Sequence, residues 1–145
     1  MVDRGERSMG RVTIDAKITN AGDRITADAG HMPAEQVRST MVHVIVDTGV
    51  SMLVLPERVA RRLGLSKSGE AIVRSADNRT EIRDIVEHAD LELLGRSGTF
   101  TAVVEPDRTD VVIGRIALWS LDILVDAETQ TLRPRDPDRI ITEIE

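Results

Sequence analysis

Short runs of β-branched and other apolar residues recur along the chain, and turn-forming residues separate each run from the next. Residues 12–18 alternate apolar and polar side chains, the pattern of a strand with one buried face. Residues 38–46 are rich in β-branched side chains and end in a continuous apolar triplet, which predicts a strand that enters the core. A chain punctuated in this way is predicted to form an all-β domain.

One short helix interrupts this pattern. Pro56 opens a stretch that runs through Leu63, and Gly64 follows it, which is the usual asymmetry of helix start and stop signals. We predict a helix over residues 56–63. Further strands are predicted at residues 89–94, 100–104, 111–113 and 121–125.

Two other segments are distinguished by their turn chemistry. Residues 71–75 and 80–86 flank a polar tetrapeptide, Ala-Asp-Asn-Arg at residues 76–79, which predicts a protruding hairpin. Residues 20–36 mix Gly, Asp, Thr and Pro with little periodicity, and we predict a long loop or a partly ordered excursion there.

The composition excludes several classes of partner. The 145 residues hold 19 Lys and Arg against 25 Asp and Glu, so the net charge of -6 has the wrong sign for binding a phosphate backbone. Phe100 and Trp119 are the only aromatic residues, which leaves little surface on which bases could stack. We therefore predict that nucleic acid is not a partner.

The organisation of the chain follows from its length and its ends. With 145 residues it has room for one domain, predicted at residues 9–134 between an N-terminal extension at 1–8 and a C-terminal tail at 135–145. No apolar run approaches the length of a membrane span, and the extension lacks the apolar core of a signal peptide. No cysteine is present, which fits a reducing compartment. We predict a cytoplasmic protein with no membrane partner.

Asp47 stands at the end of the predicted core strand, where Thr48 and Gly49 turn the chain sharply. A carboxylate at the edge of an apolar interior is costly unless it is paired, hydrogen-bonded or protonated. We therefore expect Asp47 to be buried and functional. Its structural alternative is a strand-end carboxylate that caps a turn.

These residues resemble those of a known family, the retropepsin-like aspartic proteases, and in particular its small bacterial members. Residues 45–51, Ile-Val-Asp-Thr-Gly-Val-Ser, resemble the family's first signature, and residues 112–115, Val-Ile-Gly-Arg, its second. The predicted hairpin tip at 76–79 resembles the family's flap. The resemblance implies an all-β, retropepsin-like closed barrel or sandwich with one or two short helices, assembled as a two-fold homodimer.

The resemblance also implies a mechanism. Asp47 from each of two subunits would form a dyad in which one carboxylate activates a water and the other, protonated, polarises the carbonyl of a peptide substrate. The family needs neither a metal nor another cofactor for this reaction. Thr48 would hydrogen-bond across the dimer, while Gly49 and Ser51 would support the loop. Since the chain contains Asp-Thr-Gly only once, the homodimer is required to supply the second aspartate.

The other signature residues are given supporting roles. Gly114 would be a close-packing glycine, and Arg115 a surface or interface charge. Ala76, Asp77 and Asn78 would form the flap tip that covers an extended peptide substrate. On the residues alone, the pair Asp77-Asn78 is simply a turn.

Three positions depart from the family pattern. Val50 stands where most members have Ala or Ser, and Asn78 where many bacterial relatives have Gly. Ser51 stands where retroviral members have Asp, which deprives Arg115 of the acidic partner it has there. These departures leave open an alternative function, a catalytically silent dimeric module that binds peptides or assembles partners.

Other chemistries have weaker support. The three histidines, at positions 31, 43 and 88, have no metal-ligand spacing, so we predict no metal site. A phosphoryl-aspartate enzyme would need a second acidic residue close to Asp47 to bind magnesium, and residue 49 is Gly and residue 51 is Ser.

Overall fold

The computed structural model describes residues 11–145. The predicted N-terminal extension and the predicted domain start at residue 9 lie outside the described residues. The strands are β1 (Val12–Asn20), β2 (Ser39–Val46), β3 (Leu53–Pro56), β4 (Lys67–Arg74), β5 (Thr80–Leu93), β6 (Arg96–Glu105), β7 (Val111–Ile113), β8 (Ile123–Asp126) and β9 (Thr131–Pro134). The helices are α1 (Ala21–Asp28), α2 (Glu57–Leu63) and α3 (Arg115–Leu121), with one turn of 3₁₀ helix at Ala34–Gln36.

Six strands close into a barrel. The hydrogen-bonded order is β1-β2-β7-β3-β6-β5, and β1 also pairs with β5, which joins the two ends. Strand β4 pairs only with β5 and projects from the barrel, while β8 and β9 form a separate two-stranded sheet. The predicted all-β closed barrel is confirmed. Closure also leaves the six strands without a free edge.

The core fills the barrel with aliphatic side chains. Its fully buried members include Ile18, Val44, Leu53, Leu55, Leu63, Leu91, Leu93, Val111, Ile113 and Leu121. Of the two aromatic residues, Phe100 is buried at the edge of this cluster, whereas 72% of Trp119 is exposed. Within residues 11–145, no helix has the length and apolar character needed to cross a bilayer.

The predicted loop at 20–36 is wrong for its first half, because residues 21–28 form α1. Asn20 caps this helix: its side-chain oxygen accepts a hydrogen bond from the backbone N–H of Asp23 at 3.0 Å. The Asn20 amide also donates to the carbonyl of Leu63 at 2.8 Å. The helix is thereby fixed to the end of α2. No local sequence pattern predicts this contact. Residues 11–145 contain three α-helices rather than the one or two expected.

Two strand predictions are corrected in their bounds. The predicted strands at 80–86 and 89–94 are one strand, β5, whose pairing with β6 shifts register between Val86 and Ala89. At this bulge His88 has a φ of 69°. The strand predicted at 121–125 begins later, because α3 ends at Leu121 and Asp122 adopts the left-handed conformation. The predicted helix and hairpin are confirmed as α2 and as the pair β4–β5.

The C-terminal tail is held against the domain by Asp122. One oxygen of this buried carboxylate accepts the backbone N–H of Ile141 at 2.9 Å, and the other pairs with the guanidinium of Arg135 at 2.9 Å. Arg96 donates to the carbonyls of Asp136 and Arg139. The bond from Ile141 above all lowers the pKa of Asp122. The tail therefore lacks helix and strand but is anchored at several points.

Candidate active site

The site lies where two parallel strands end side by side. Val46, the last residue of β2, is paired with Ile113, the last residue of β7. The chain then leaves β2 as Asp47, whose backbone N–H donates to the carbonyl of Ile113 at 3.0 Å. The two signatures of the sequence are therefore neighbours in space although 67 residues separate Thr48 from Arg115.

Asp47 organises its own loop. Its carboxylate oxygen Oδ1 accepts the backbone N–H of Gly49 at 2.9 Å, and its carbonyl accepts the N–H of Val50 at 3.1 Å. This is the turn that Asp favours through its short side chain. The expected burial is wrong for the single chain, because Asp47 is exposed at the open end of the strand.

Gly114 allows the second signature to approach the Asp47 loop. A Cβ at this position would lie 2.3 Å from the carbonyl oxygen of Val50, closer than any real Cβ contact. The approach is fixed by hydrogen bonds from the first residues of α3: the N–H of Arg115 donates to Val50 at 2.8 Å and that of Ile116 donates to Ser51 at 3.0 Å. The loop is thus held to the helix through its backbone.

Arg115 contributes its side chain as well. Its Nη1 donates to the carbonyl of Thr48 at 2.9 Å. The guanidinium therefore binds a backbone carbonyl of the Asp47 loop, although Ser51 offers it no carboxylate. The side chain of Thr48 is exposed, so its hydrogen bond across a dimer stays a prediction. With these contacts the structure brings together six predicted site residues: Asp47, Thr48, Gly49, Ser51, Gly114 and Arg115.

A cavity of about 350 Å³ opens beside Asp47. Its walls are mainly aliphatic, from Val12, Ile45, Val46, Val50, Val54, Val112, Val125 and Ala127. Asp47 is the one carboxylate among the described residues that line it, and Arg11 and Arg108 are its two cations. Sequence reasoning missed both arginines. For Arg108, nothing in the short polar loop before β7 indicates that its side chain lines the site.

The predicted flap tip is a tight turn at the end of the β4–β5 hairpin. Asn78 has a φ of 67°, the left-handed conformation that Asn tolerates, and its N–H donates to Ser75 at 2.9 Å. Asp77 accepts hydrogen bonds from the hydroxyl of Ser75 and the guanidinium of Arg79, and the bond from Ser75 above all lowers the pKa of Asp77. Ala76 and its two neighbours are exposed and do not line the Asp47 cavity.

An ion-pair network ties the hairpin to the barrel, and sequence reasoning missed this too. Arg83 on β5 donates to Glu81 on the same strand at 2.8 Å and to Glu105 at the end of β6. These two bonds, the one to Glu81 first, raise the pKa of Arg83. Only 19% of the Arg83 side chain is exposed. The hairpin is therefore anchored, through one arginine, to the strand that leads into the Arg108 loop.

Comparison of the sequence with protein families identifies one match. The profile of the family described as aspartyl protease matches residues 34–116, more than half of the chain. The match runs from the 3₁₀ turn before β2 to the start of α3, and so includes both signatures and the hairpin. No curated protein is significantly similar to the chain in sequence.

Solved structures that are similar to the chain include viral proteases and a protease-like domain. The EIAV protease, in complex with the inhibitor HBY-793, superposes with a TM-score of 0.56 over 83% of this chain and 94% of that one, at 18% identity. The retroviral protease-like domain of Ddi1 from Leishmania major superposes with a TM-score of 0.47 over 67% of this chain and 81% of that one, at 20% sequence identity. The Simian Foamy Virus (mac) protease superposes with a TM-score of 0.45 over 70% of this chain and 86% of that one, at 11% sequence identity. The likeness to the EIAV protease establishes a retropepsin-like fold.

Proposed function

Because the chain belongs to the aspartyl protease family, we propose that it is an aspartic endopeptidase in which Asp47 supplies half of a two-carboxylate site. One observation carries this proposal. Asp47 lies at the mouth of an aliphatic cavity, on a loop that backbone hydrogen bonds and the close approach of Gly114 hold in place. A reactive carboxylate needs a fixed position of this kind beside a surface on which a substrate can lie.

The reaction requires a second carboxylate. Two close carboxylates cannot both ionise, so they share a proton, and one then acts as base while the other acts as acid. The ionised oxygen takes a proton from the bound water as that water attacks the peptide carbonyl. The protonated partner gives its proton to the carbonyl oxygen as the tetrahedral intermediate forms. The C–N bond of this intermediate then breaks, as the carboxyl that took the water's proton passes it to the departing amine and its partner takes back the hydroxyl proton. No covalent intermediate forms on the protein.

A homodimer is the simplest source of this second group. Asp47 is the one carboxylate in its cavity among residues 11–145, and it is exposed in the single chain. A two-fold axis beside Asp47 would place an identical aspartate against it and bury both. In this arrangement the exposed hydroxyl of Thr48 is free to bond across the interface.

The remaining predicted residues act by position. Gly49 gives its N–H to Asp47 and keeps the loop surface low, so that a peptide backbone can approach. The Asp47 loop is held to the start of α3 by contacts that involve Ser51, Gly114 and Arg115. The flap tip at residues 76–79 would close over an extended peptide or protein substrate when it binds.

The predicted domain bounds of 9–134 and the cytoplasmic location belong to the same proposal. The described part of the chain supports a tail that begins after β9, since residues 135–145 contain neither helix nor strand. The family's reaction calls for no metal or cofactor, and none is part of the mechanism proposed.

Replacing Asp47 tests the function directly. The Asp47→Asn variant keeps the size of the side chain and removes its base, so cleavage of a denatured protein substrate should fall at least about a thousandfold. Asp107→Asn is the matched control, because Asp107 is an exposed aspartate that does not line the Asp47 cavity. Cleavage that survives Asp47→Asn undiminished would overturn the assignment and favour the silent peptide-binding module.

A further inference from the structure

The cavity beside Asp47 carries an excess of positive charge. Arg11 and Arg108 line it, and Asp47 is the one acid among the described residues that do. When Asp47 is ionised, the formal charge of the lining is +1. This sign is opposite to the charge of the whole chain, -6. The cavity is therefore a local cationic site on an acidic protein.

No acidic side chain among residues 11–145 forms an ion pair with either arginine. Ion pairs fix other arginines of the barrel, as Arg38 with Asp23 and Arg24 with Asp90 show. Within residues 11–145, by contrast, Arg11 and Arg108 have no ion-pair partner. Free guanidinium groups beside aliphatic walls can bind an anion with little competition from the protein itself.

The acidic residues close to Arg108 in the sequence do not form an ion pair with it. Asp107 precedes Arg108 but makes no ion pair with it within residues 11–145. Asp110 lines a different cavity, together with His43, Arg58 and other residues of β2 and α2. The guanidinium of Arg108 therefore faces the Asp47 cavity without an acid of its own.

Arg108 lies on a loop that leads into a wall of the cavity. It lies in the loop between β6 and β7, where its backbone N–H donates to the carbonyl of Glu105 at 3.4 Å. Three residues later β7 begins, and its Val112 forms a wall of the same cavity. A side chain on this loop reaches a ligand that lies along the wall, close to the reacting carboxylate.

We propose that Arg108 is a specificity-determining residue that selects peptides with a Glu or Asp side chain close to the bond that is cut. The inference rests on the proposed function. A guanidinium binds a carboxylate through two parallel hydrogen bonds. Arg108 is exposed, so this pairing has the modest strength of a solvent-accessible ion pair. Repulsion from Asp47 keeps the substrate's acid away from the reacting atoms, so the preference applies to one flanking position.

The test measures binding rather than cleavage. Full-length protein carrying Asp47→Asn is titrated with fluorescent octapeptides of Val, Ala and Leu in which a single Glu is moved through every position, and with matched Gln peptides. We expect the Glu peptide to bind about three- to tenfold more tightly than its Gln counterpart at one position. Adding Arg108→Gln should abolish the difference, and Arg108→Glu should transfer the preference to a Lys peptide.

Arg62→Gln is the matched control, because it removes the same charge from the exposed surface of α2, outside the Asp47 cavity. It should leave the Glu preference unchanged. The proposal is overturned if Glu and Gln peptides bind equally at every position, if no peptide binds, or if the preference survives Arg108→Gln. Cleavage by the wild-type protein is assayed separately, so a missing peptidase activity would contradict the proposed function while the binding result still decides the role of Arg108.

Discussion

The carbonyl oxygen of Val50 occupies the space that any side chain at Gly114 would need. A Cβ on Gly114 would lie 2.3 Å from this oxygen and 2.8 Å from the carbonyl carbon of Ser51. The contact joins the two signatures of the sequence at the back of the Asp47 loop. It involves backbone atoms, which cannot rotate away as a flexible side chain could.

Gly114→Ala should therefore damage both stability and activity. To relieve the clash, residues 50–51 must move and lose their hydrogen bonds from the N–H groups of Arg115 and Ile116. We expect a loss of about 1–3 kcal/mol in the free energy of unfolding, the usual cost of overpacking. Urea unfolding measures it. Gly69→Ala is the control, since a Cβ there meets no atom within 4 Å; an equal loss in both variants would contradict the argument.

The pair Asp23–Arg38 should make stability depend on pH. Asp23 is buried and accepts three hydrogen bonds from Arg38, at 2.8, 3.0 and 3.1 Å. The side-chain bonds from Arg38, the largest cause, lower the pKa of Asp23. A carboxylate whose pKa is lower in the folded chain stabilises fully above its unfolded pKa of roughly 3.9, and this contribution is lost as the pH falls below that value.

Asp23→Asn should accordingly cost about 1–3 kcal/mol near neutral pH, and this cost should shrink progressively as the pH falls below roughly 3.9. Urea unfolding at several pH values compares the two proteins. Asp28→Asn, an exposed position at the end of the same helix, is the control and should change little. A deficit for Asp23→Asn that is as large in acid as at neutral pH would show that its hydrogen bonds do not depend on the charge.

The strands that carry the two signatures were predicted from the sequence better than the helices and strands around them. Each signature begins inside an apolar triplet, and such triplets become paired strand ends because buried parallel strands are continuously apolar. The outcome for Asp47 differs: its place at the strand end was foreseen, but its exposure was not. A pattern along one chain cannot tell which end of a strand a second molecule covers.

Helix α1 and the cationic cavity could not be predicted from local sequence patterns. Asn20 is a good capping residue, yet the helix it starts has few apolar residues, and its position depends on a bond to Leu63, 43 residues away. Arg108 faces the cavity because β7 lies between β2 and β3. Both features arise from contacts between distant segments, which periodicity does not report.

Arg83 should control how freely the hairpin moves. Its bonds to Glu81 and Glu105 join β5 to the end of β6. Arg83→Gln should speed hydrogen exchange of the hairpin amides at residues 80–86 by about three- to tenfold, because the lost ion pairs are worth roughly 1 kcal/mol. Exchange mass spectrometry measures it. Arg74→Gln on the neighbouring strand is the control, and equal protection in both variants would exclude an anchoring role for Arg83.

Mixing experiments should reveal that two copies of Asp47 share one site. If each dimer needs both aspartates, an equal mixture of wild-type and Asp47→Asn chains forms about one quarter wild-type dimers by random pairing. Activity at constant total protein should then fall to about a quarter of that of the wild type, once subunits have exchanged. The Asp107→Asn variant, used in place of Asp47→Asn, should leave activity unchanged. A fall to one half would mean that each chain acts alone, and sedimentation of the same mixtures would then show whether dimers form at all.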